Sequence, residues 1–308
     1  MRLKVQTPCT LMGTGAGSTA EEIAQLCCGT SYEVVRFLGR GGIGQVWVVQ
    51  HKFLKREFAL KVLHRRLAAD ARAIDRLRFE AQVTAALEHP NIVSPTDFWL
   101  TDEGRPCLVM ELLEGRNLAR ELVERGPLPA REVLAIGCEV LSAVEAAHRN
   151  GLLHRDIKPE NVFLHELAGR QRIARLLDFG IARFFREIAG IPVNELAERT
   201  RTGMVVGSPR YMSPEARRGA SLDERADVYS VGITLYEALT GQGPYDRSSS
   251  RAPPQAPSLL VQGVTKELDA AILQAIAQEP SQRYASAAEF EAKLREFLPL
   301  RRSRGCTA

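Results

Sequence analysis

His154-Arg155-Asp156-Ile157-Lys158-Pro159-Glu160-Asn161 sets a carboxylate, an ammonium and an amide carbonyl at fixed intervals within one short stretch. Such a set suits transfer of a phosphoryl group, because each member takes a separate task. Asp156 takes or orients a hydroxyl proton, Lys158 neutralises charge on the moving group, and Asn161 offers its carbonyl oxygen to Mg2+. A solvated charged loop explains any three of these residues; it does not explain eight in this order.

On the C-terminal side, Val162 to Leu164 and Ile173 to Leu177 read as a short hairpin that delivers Asp178-Phe179-Gly180. That spacing lets Asn161 and Asp178 reach one metal-phosphate cluster. On the N-terminal side, Val133, Ile136, Val140, Leu141, Val144 and Ala147 form a helical apolar stripe, so a helix over about 129 to 149 leads into the loop. Nearer the N-terminus, two β-like runs flank a G-x-G-x-x-G made by Gly39, Gly41 and Gly44, with Gly42 inside it. Dinucleotide folds share this pattern, but they need a helix directly after the glycines. Here Val46 to Val49 continue as a strand, which makes a glycine hairpin whose backbone approaches phosphates closely. Lys61 sits among apolar residues in the next strand, Glu57 to Leu63. A lysine so placed either snorkels outward or pairs with an anion.

The order H-R-D-x-K-x-x-N, hairpin, D-F-G is the catalytic pattern of protein kinases, and the chain resembles the Hanks-type serine/threonine protein kinases of bacteria. The resemblance spans about 32 to 298. It implies an α+β fold of two lobes, a β-rich N-lobe over about 31–113 and a helical C-lobe over about 114–298, with ATP between them. Ala59-Leu60-Lys61 stands for V-A-I-K, so Lys61 is expected to hold the α and β phosphates. Its expected ion-pair partner is Glu80, on a helix from about Ala69 to Leu87, with Glu88 as the alternative. Leu38, Val46 and Ala59 would lie at the adenine, Met110 would be the gatekeeper, and the Glu111 and Leu113 backbone would meet the adenine edge. Asn161 and Asp178 would hold Mg2+ or Mn2+.

The segment from Asp178 to Ser213-Pro214-Glu215, the family's A-P-E, has the place of an activation segment. The resemblance marks Thr200 and Thr202 as phosphorylation sites, Arg155 as the receiver of that phosphate, and Ser208 as the hydroxyl beside Asp156 and Lys158. Asp227 would anchor the catalytic-loop backbone, and Arg283 would pair with Glu215. The Ser/Pro-rich stretch 246–257 falls where the family carries a docking helix, which is expected to be shortened or missing. Residues 1–30 read as a mobile leader with a short helix over Ala20 to Leu26, and 299–308 as a basic tail.

A net charge of +4 on 41 basic and 37 acidic residues does not argue for nucleic acid or a membrane surface as partner. The six cysteines show no metal or disulfide spacing, and no run nears the roughly 18 apolar residues of a membrane span. A cytoplasmic protein with reduced thiols and no membrane span is expected. The implied activity is transfer of the γ-phosphoryl of ATP to Ser or Thr of proteins, with autophosphorylation in trans. A catalytically silent kinase fold serving as a scaffold is the rival from another class. Degraded catalytic residues would mark it, and none is degraded. A small-molecule kinase is a second rival, opposed by the G-S-P and S-P-E matches that build a peptide shelf.

Overall fold

Val, Phe, Tyr and Trp punctuate β1 (Tyr32–Gly41), β2 (Gly44–His51) and β3 (Glu57–Leu63), as suits strands, and these pair antiparallel in sequence order. The computed structural model describes residues 20–41, 44–64, 71–167, 169, 171–179, 209–245 and 253–298. With β4 (Pro95–Leu100) and β5 (Pro106–Glu111) it completes a five-stranded sheet in the order β1-β2-β3-β5-β4. Gly44 owes its identity to this sheet, since a Cβ there would run into the Val62 carbonyl of β3.

Residues 20–30, expected to belong to a mobile leader, are instead held on the sheet. α1 (Ala20–Leu26) packs on the sheet: Ile23 is 0% exposed and joins Cys27, Tyr32, Trp47, Leu60 and Val109 in one apolar cluster. Trp99 Nε1 donates to the Leu26 carbonyl at 3.2 Å, and Lys52 Nζ to the Thr30 carbonyl at 2.7 Å. Ile23 and Leu26 lie one turn apart, so a helix of two turns suffices to seat both on the sheet. Ile23→Ala is expected to cost roughly 2–4 kcal/mol, read as a lower denaturant midpoint at unchanged slope. No change would mean that α1 is dispensable to the lobe.

α2 (Ala71–Ala86) lies between β3 and β4 in the chain, within the range its sequence predicts. The second lobe begins with β6 (Gly115–Asn117), α3 (Leu118–Arg125) and α4 (Ala130–His148), and β6 joins β7 (Val162–Glu166) and β8 (Arg172–Leu176) in a three-stranded sheet. α5 (Pro214–Arg217), α6 (Arg225–Thr240), α7 (Lys266–Ala275) and α8 (Ala287–Arg295) follow. α6 is buried along nearly its whole length, and Gly232 lets α7 approach, because a Cβ there would press on Ala275 and Ile276. Between Tyr245 and Lys266 the described residues hold only the 3-10 turn Pro257–Leu259, and residues 246–252, on which much of the expected loss of a helix rests, lie outside the described residues. Tyr236 Oη donates to Gln255 O at 3.0 Å and Ser258 N donates to Asp269 at 2.8 Å, which fixes residues 255–258 on the lobe.

Glu121 on α3 is a buried carboxylate bonded to Arg172 of β8 at 2.7 and 3.0 Å and to Arg125 at 2.6 Å. Those hydrogen bonds, Arg172 first, outweigh burial and hold its pKa at about 2. A carboxyl depressed on folding stabilises the native state above its unfolded pKa, and that stability fades as pH falls from about 4.5 toward 2. Glu121→Gln is expected to lose about 2 kcal/mol at neutral pH, the half-exposed arginines limiting the gain, and to flatten the acid limb. Urea melts across that pH range test it; parallel acid limbs would refute it.

Candidate active site

The loop before β7 is built from below. Asp227, at the start of α6, accepts from the His154 and Arg155 backbone N–H groups at 2.8 Å each and from His148 Nε2 at 2.9 Å. Burial opposes its charge, but the His148 hydrogen bond and the Arg155 amide prevail, and its pKa lies below the usual carboxylate range. This clamp holds Arg155 at φ 66°, a left-handed conformation that a non-glycine residue keeps only when its surroundings dictate it. His154 is fully buried, and burial keeps its imidazole neutral. Its partners fix the tautomer: Nε2–H donates to Leu177 O at 2.8 Å, and Nδ1 accepts from Asp156 N at 3.3 Å. Its ring rests on Phe179 at 4.6 Å between centroids.

On this base, Lys158 Nζ lies 2.6 Å from Asp156 Oδ2, and Asn161 Nδ2 donates to that same oxygen at 2.9 Å and to Asp156 O at 2.7 Å. Among the described residues, Oδ1 of Asp156 is thereby left to accept from a hydroxyl. With its nitrogen so committed, Asn161 keeps Oδ1 without a partner among the described residues. Asn161 O also accepts from Leu177 N at 2.9 Å, which links the loop to Asp178 one residue on. Asp178 stands at φ 62°, and its Oδ1 lies 2.6 Å from Lys61 Nζ.

The pairing of Lys61 with Glu80 is therefore not the one formed. Lys61 is 5% exposed and needs an anion, and Asp178 is the carboxylate that reaches it. Glu80 faces the same interior from α2, where with Asp178, Phe179, Thr84 and Met110 it lines a cavity of about 20 Å3. Val46 sits opposite Lys61 across β2 and β3, Ala59 sits opposite Met110 across β3 and β5, and Leu38 is exposed on β1. Gly39 and Gly41 end β1, while Gly42 lies outside the described residues. Glu111 ends β5 and ion-pairs with Arg175 of β8, and Leu113 is half-buried just beyond it.

Glu215 and Arg283 form a bidentate pair at 2.7 and 2.8 Å, away from the loop. Thr200, Thr202, Ser208 and Gly180 lie outside the described residues, so the expectations on the activation segment do too.

Sequence reasoning missed two contributors. His148 continues the buried stripe of α4 four residues after Val144, so a polar residue on an apolar face was the signal. Arg175 Nη2 donates to Ile92 O at 2.9 Å as well as to Glu111, tying the turn before β4 and the end of β5 to β8 of the second lobe. Its trace in the sequence is a second cation, after Arg172, in the five-residue strand β8.

The family described as "Protein kinase domain" matches residues 32–297, and the chain belongs to it. Members of this family use ATP with Mg2+ or Mn2+. The chain is 38% identical over 88% of its length to serine/threonine-protein kinase Pkn1 of Myxococcus xanthus, and 36% identical over 85% to serine/threonine-protein kinase PknB of Mycobacterium leprae. It spans 38% and 42% of those two proteins. The crystal structure of the PknI kinase domain of Mycobacterium tuberculosis superposes with a TM-score of 0.68 at 33% identity, covering 86% of this chain and 96% of that one. Among the described residues, no helix is long and apolar enough to cross a membrane.

Proposed function

We propose that this protein transfers the γ-phosphoryl of ATP to serine or threonine hydroxyls of proteins. The carrying observation is one unbroken chain of contacts, Lys158 to Asp156 to Asn161, on to Leu177, and from neighbouring Asp178 to Lys61. Asp156 orients the acceptor hydroxyl through its uncommitted oxygen. Lys158 sits where charge on the transferred group grows, and Lys61 holds the nucleotide phosphates.

The donor set fits a divalent cation. The Asp178 carboxylate and the Asn161 amide oxygen are hard ligands, few enough that phosphate oxygens and water complete the shell of Mg2+ or Mn2+. When bound, the ion neutralises phosphate charge. Leu38, Val46, Ala59 and Met110 would border the adenine, with the backbone of Glu111 and Leu113 at its edge and the Gly39, Gly41, Gly42 and Gly44 turn over the phosphates. The names of the relatives, all serine/threonine-protein kinases, support the choice of acceptor. Thr200 and Thr202 would be modified in trans by a second copy, with Arg155 receiving the phosphate and Ser208 beside the acceptor. ATP-dependent chemistry and cysteines without a pairing pattern favour the cytoplasm.

The test is transfer of label from γ-labelled Mg-ATP to a generic protein substrate, followed by acid hydrolysis. Label in phosphoserine or phosphothreonine is expected. ATP binding without transfer, on a chain supplied with every candidate activator in a lysate, would favour the scaffold reading instead.

A further inference from the structure

The hairpin between β2 and β3 has the tip His51-Lys52-Phe53-Leu54-Lys55-Arg56, and at it Phe53 is 82% and Leu54 70% exposed. The turn that presents them is rigidly tied. His51 Nδ1 accepts from both the Phe53 and Leu54 backbone N–H groups, at 3.3 and 3.1 Å. Lys55 N donates to His51 O at 2.9 Å, His51 N to Arg56 O at 2.9 Å, and Lys52 N to Ser31 O at 2.8 Å. Lys55 takes the left-handed φ of 54° that closes the turn, and the His51 ring stands edge-on to Tyr32 at 5.4 Å. Two adjacent apolar side chains are thus held out in water by hydrogen bonds, while the cluster beneath them is already filled by Tyr32, Trp47 and Phe58.

The surroundings are cationic. Lys52, Lys55 and Arg56 flank the pair, against Glu57 next in the chain and Glu33 on β1, opposite Gln50. Lys55 and Arg56 are exposed, whereas the Lys52 ammonium is tied to Thr30. A convex tip of two residues is too small for a stable protein interface, which buries about 800 Å2 on each partner. Apolar residues within a group of cations match a surface that is anionic outside and apolar within, which is a lipid bilayer.

We propose that the β2–β3 tip docks this protein reversibly on anionic bilayers, with Phe53 and Leu54 entering the headgroup region and Lys55 and Arg56 meeting lipid phosphates. The tip lies at the opposite end of β2 from the glycine turn, about 25 Å away at strand spacing, so the cleft stays open to nucleotide while docked. The proposal does not depend on the transfer reaction.

The experiment is cosedimentation of the full chain with vesicles of phosphatidylcholine, and with vesicles in which phosphatidylglycerol replaces part of it. Binding to the anionic vesicles is expected to exceed binding to the neutral ones by on the order of tenfold and to weaken with salt. The double variant Phe53→Ser/Leu54→Ser keeps every cation and, with both sites exposed, keeps its fold. It is expected to bind anionic vesicles on the order of tenfold more weakly, at unchanged ATP affinity. Equal binding to both vesicle types overturns the proposal, as does equal binding by variant and wild type. So does a tip that instead mediates self-association, seen as concentration-dependent sedimentation that the double variant abolishes.

Discussion

Asp156→Asn is expected to lower the rate of phosphoryl transfer about 1,000-fold while nucleotide affinity changes little. The carboxylate now holds two donors, Lys158 and Asn161, on Oδ2 and keeps Oδ1 for the acceptor hydroxyl. An amide has one oxygen. If that oxygen stays with Lys158 and Asn161, the NH2 group faces the hydroxyl and can only donate to its oxygen, so no group remains to take or orient the proton. The nucleotide contacts proposed for Lys61 and the β5 edge are not touched. Single-turnover transfer of labelled phosphate, set beside binding of a fluorescent nucleotide, separates the two effects. Transfer within tenfold of wild type would remove Asp156 from its proposed role.

Arg283→Met carries the largest expected loss of stability, about 3–5 kcal/mol. Its guanidinium bonds both Glu215 oxygens, Ala277 O at 2.8 Å, Gln278 O at 3.0 Å and Arg225 O at 3.1 Å, and lies 4.8 Å from the centre of the Tyr229 ring. Removing it strands a buried carboxylate and three carbonyls at once. Burial works against the Glu215 charge, yet the Arg283 hydrogen bond prevails and its pKa is lowered. The pair's stability is therefore present at neutral pH and is lost on acidification. Denaturant melts of Arg283→Met, Glu215→Gln and the double variant give the coupling directly. A loss under about 1 kcal/mol for Arg283→Met would mean that water enters and replaces the guanidinium.

Much of this was legible because phosphoryl chemistry leaves residues of fixed type at fixed spacing. Asp156, Lys158, Asn161 and Asp178 were readable as a group, and the stripe from Val133 to Ala147 gave α4 within a residue at each end. The partner of Lys61 was not readable. Register along α2 tells which residue lies on the inner face, whereas the choice between Glu80 and Asp178 depends on how closely two lobes approach, and no periodicity encodes that distance. The leader misled for a related reason. Ile23 and Leu26 are too few to define a face, and their burial depends on Trp47, Trp99 and Val109, which are distant in sequence. The Arg175 contacts to Ile92 and Glu111 are long-range in the same way.

The Asp227 clamp also sets how the catalytic loop fluctuates. The His154 and Arg155 amides point into a carboxylate on α6, the central helix of the lobe, so they cannot open to solvent without disturbing that helix. Their hydrogen exchange should run at the slow rate of global unfolding and not at the fast rate usual for loops. Loop and core then form one cooperative unit. Destabilising substitutions anywhere in the lobe would reduce the fraction of working molecules and leave the turnover of each survivor unchanged.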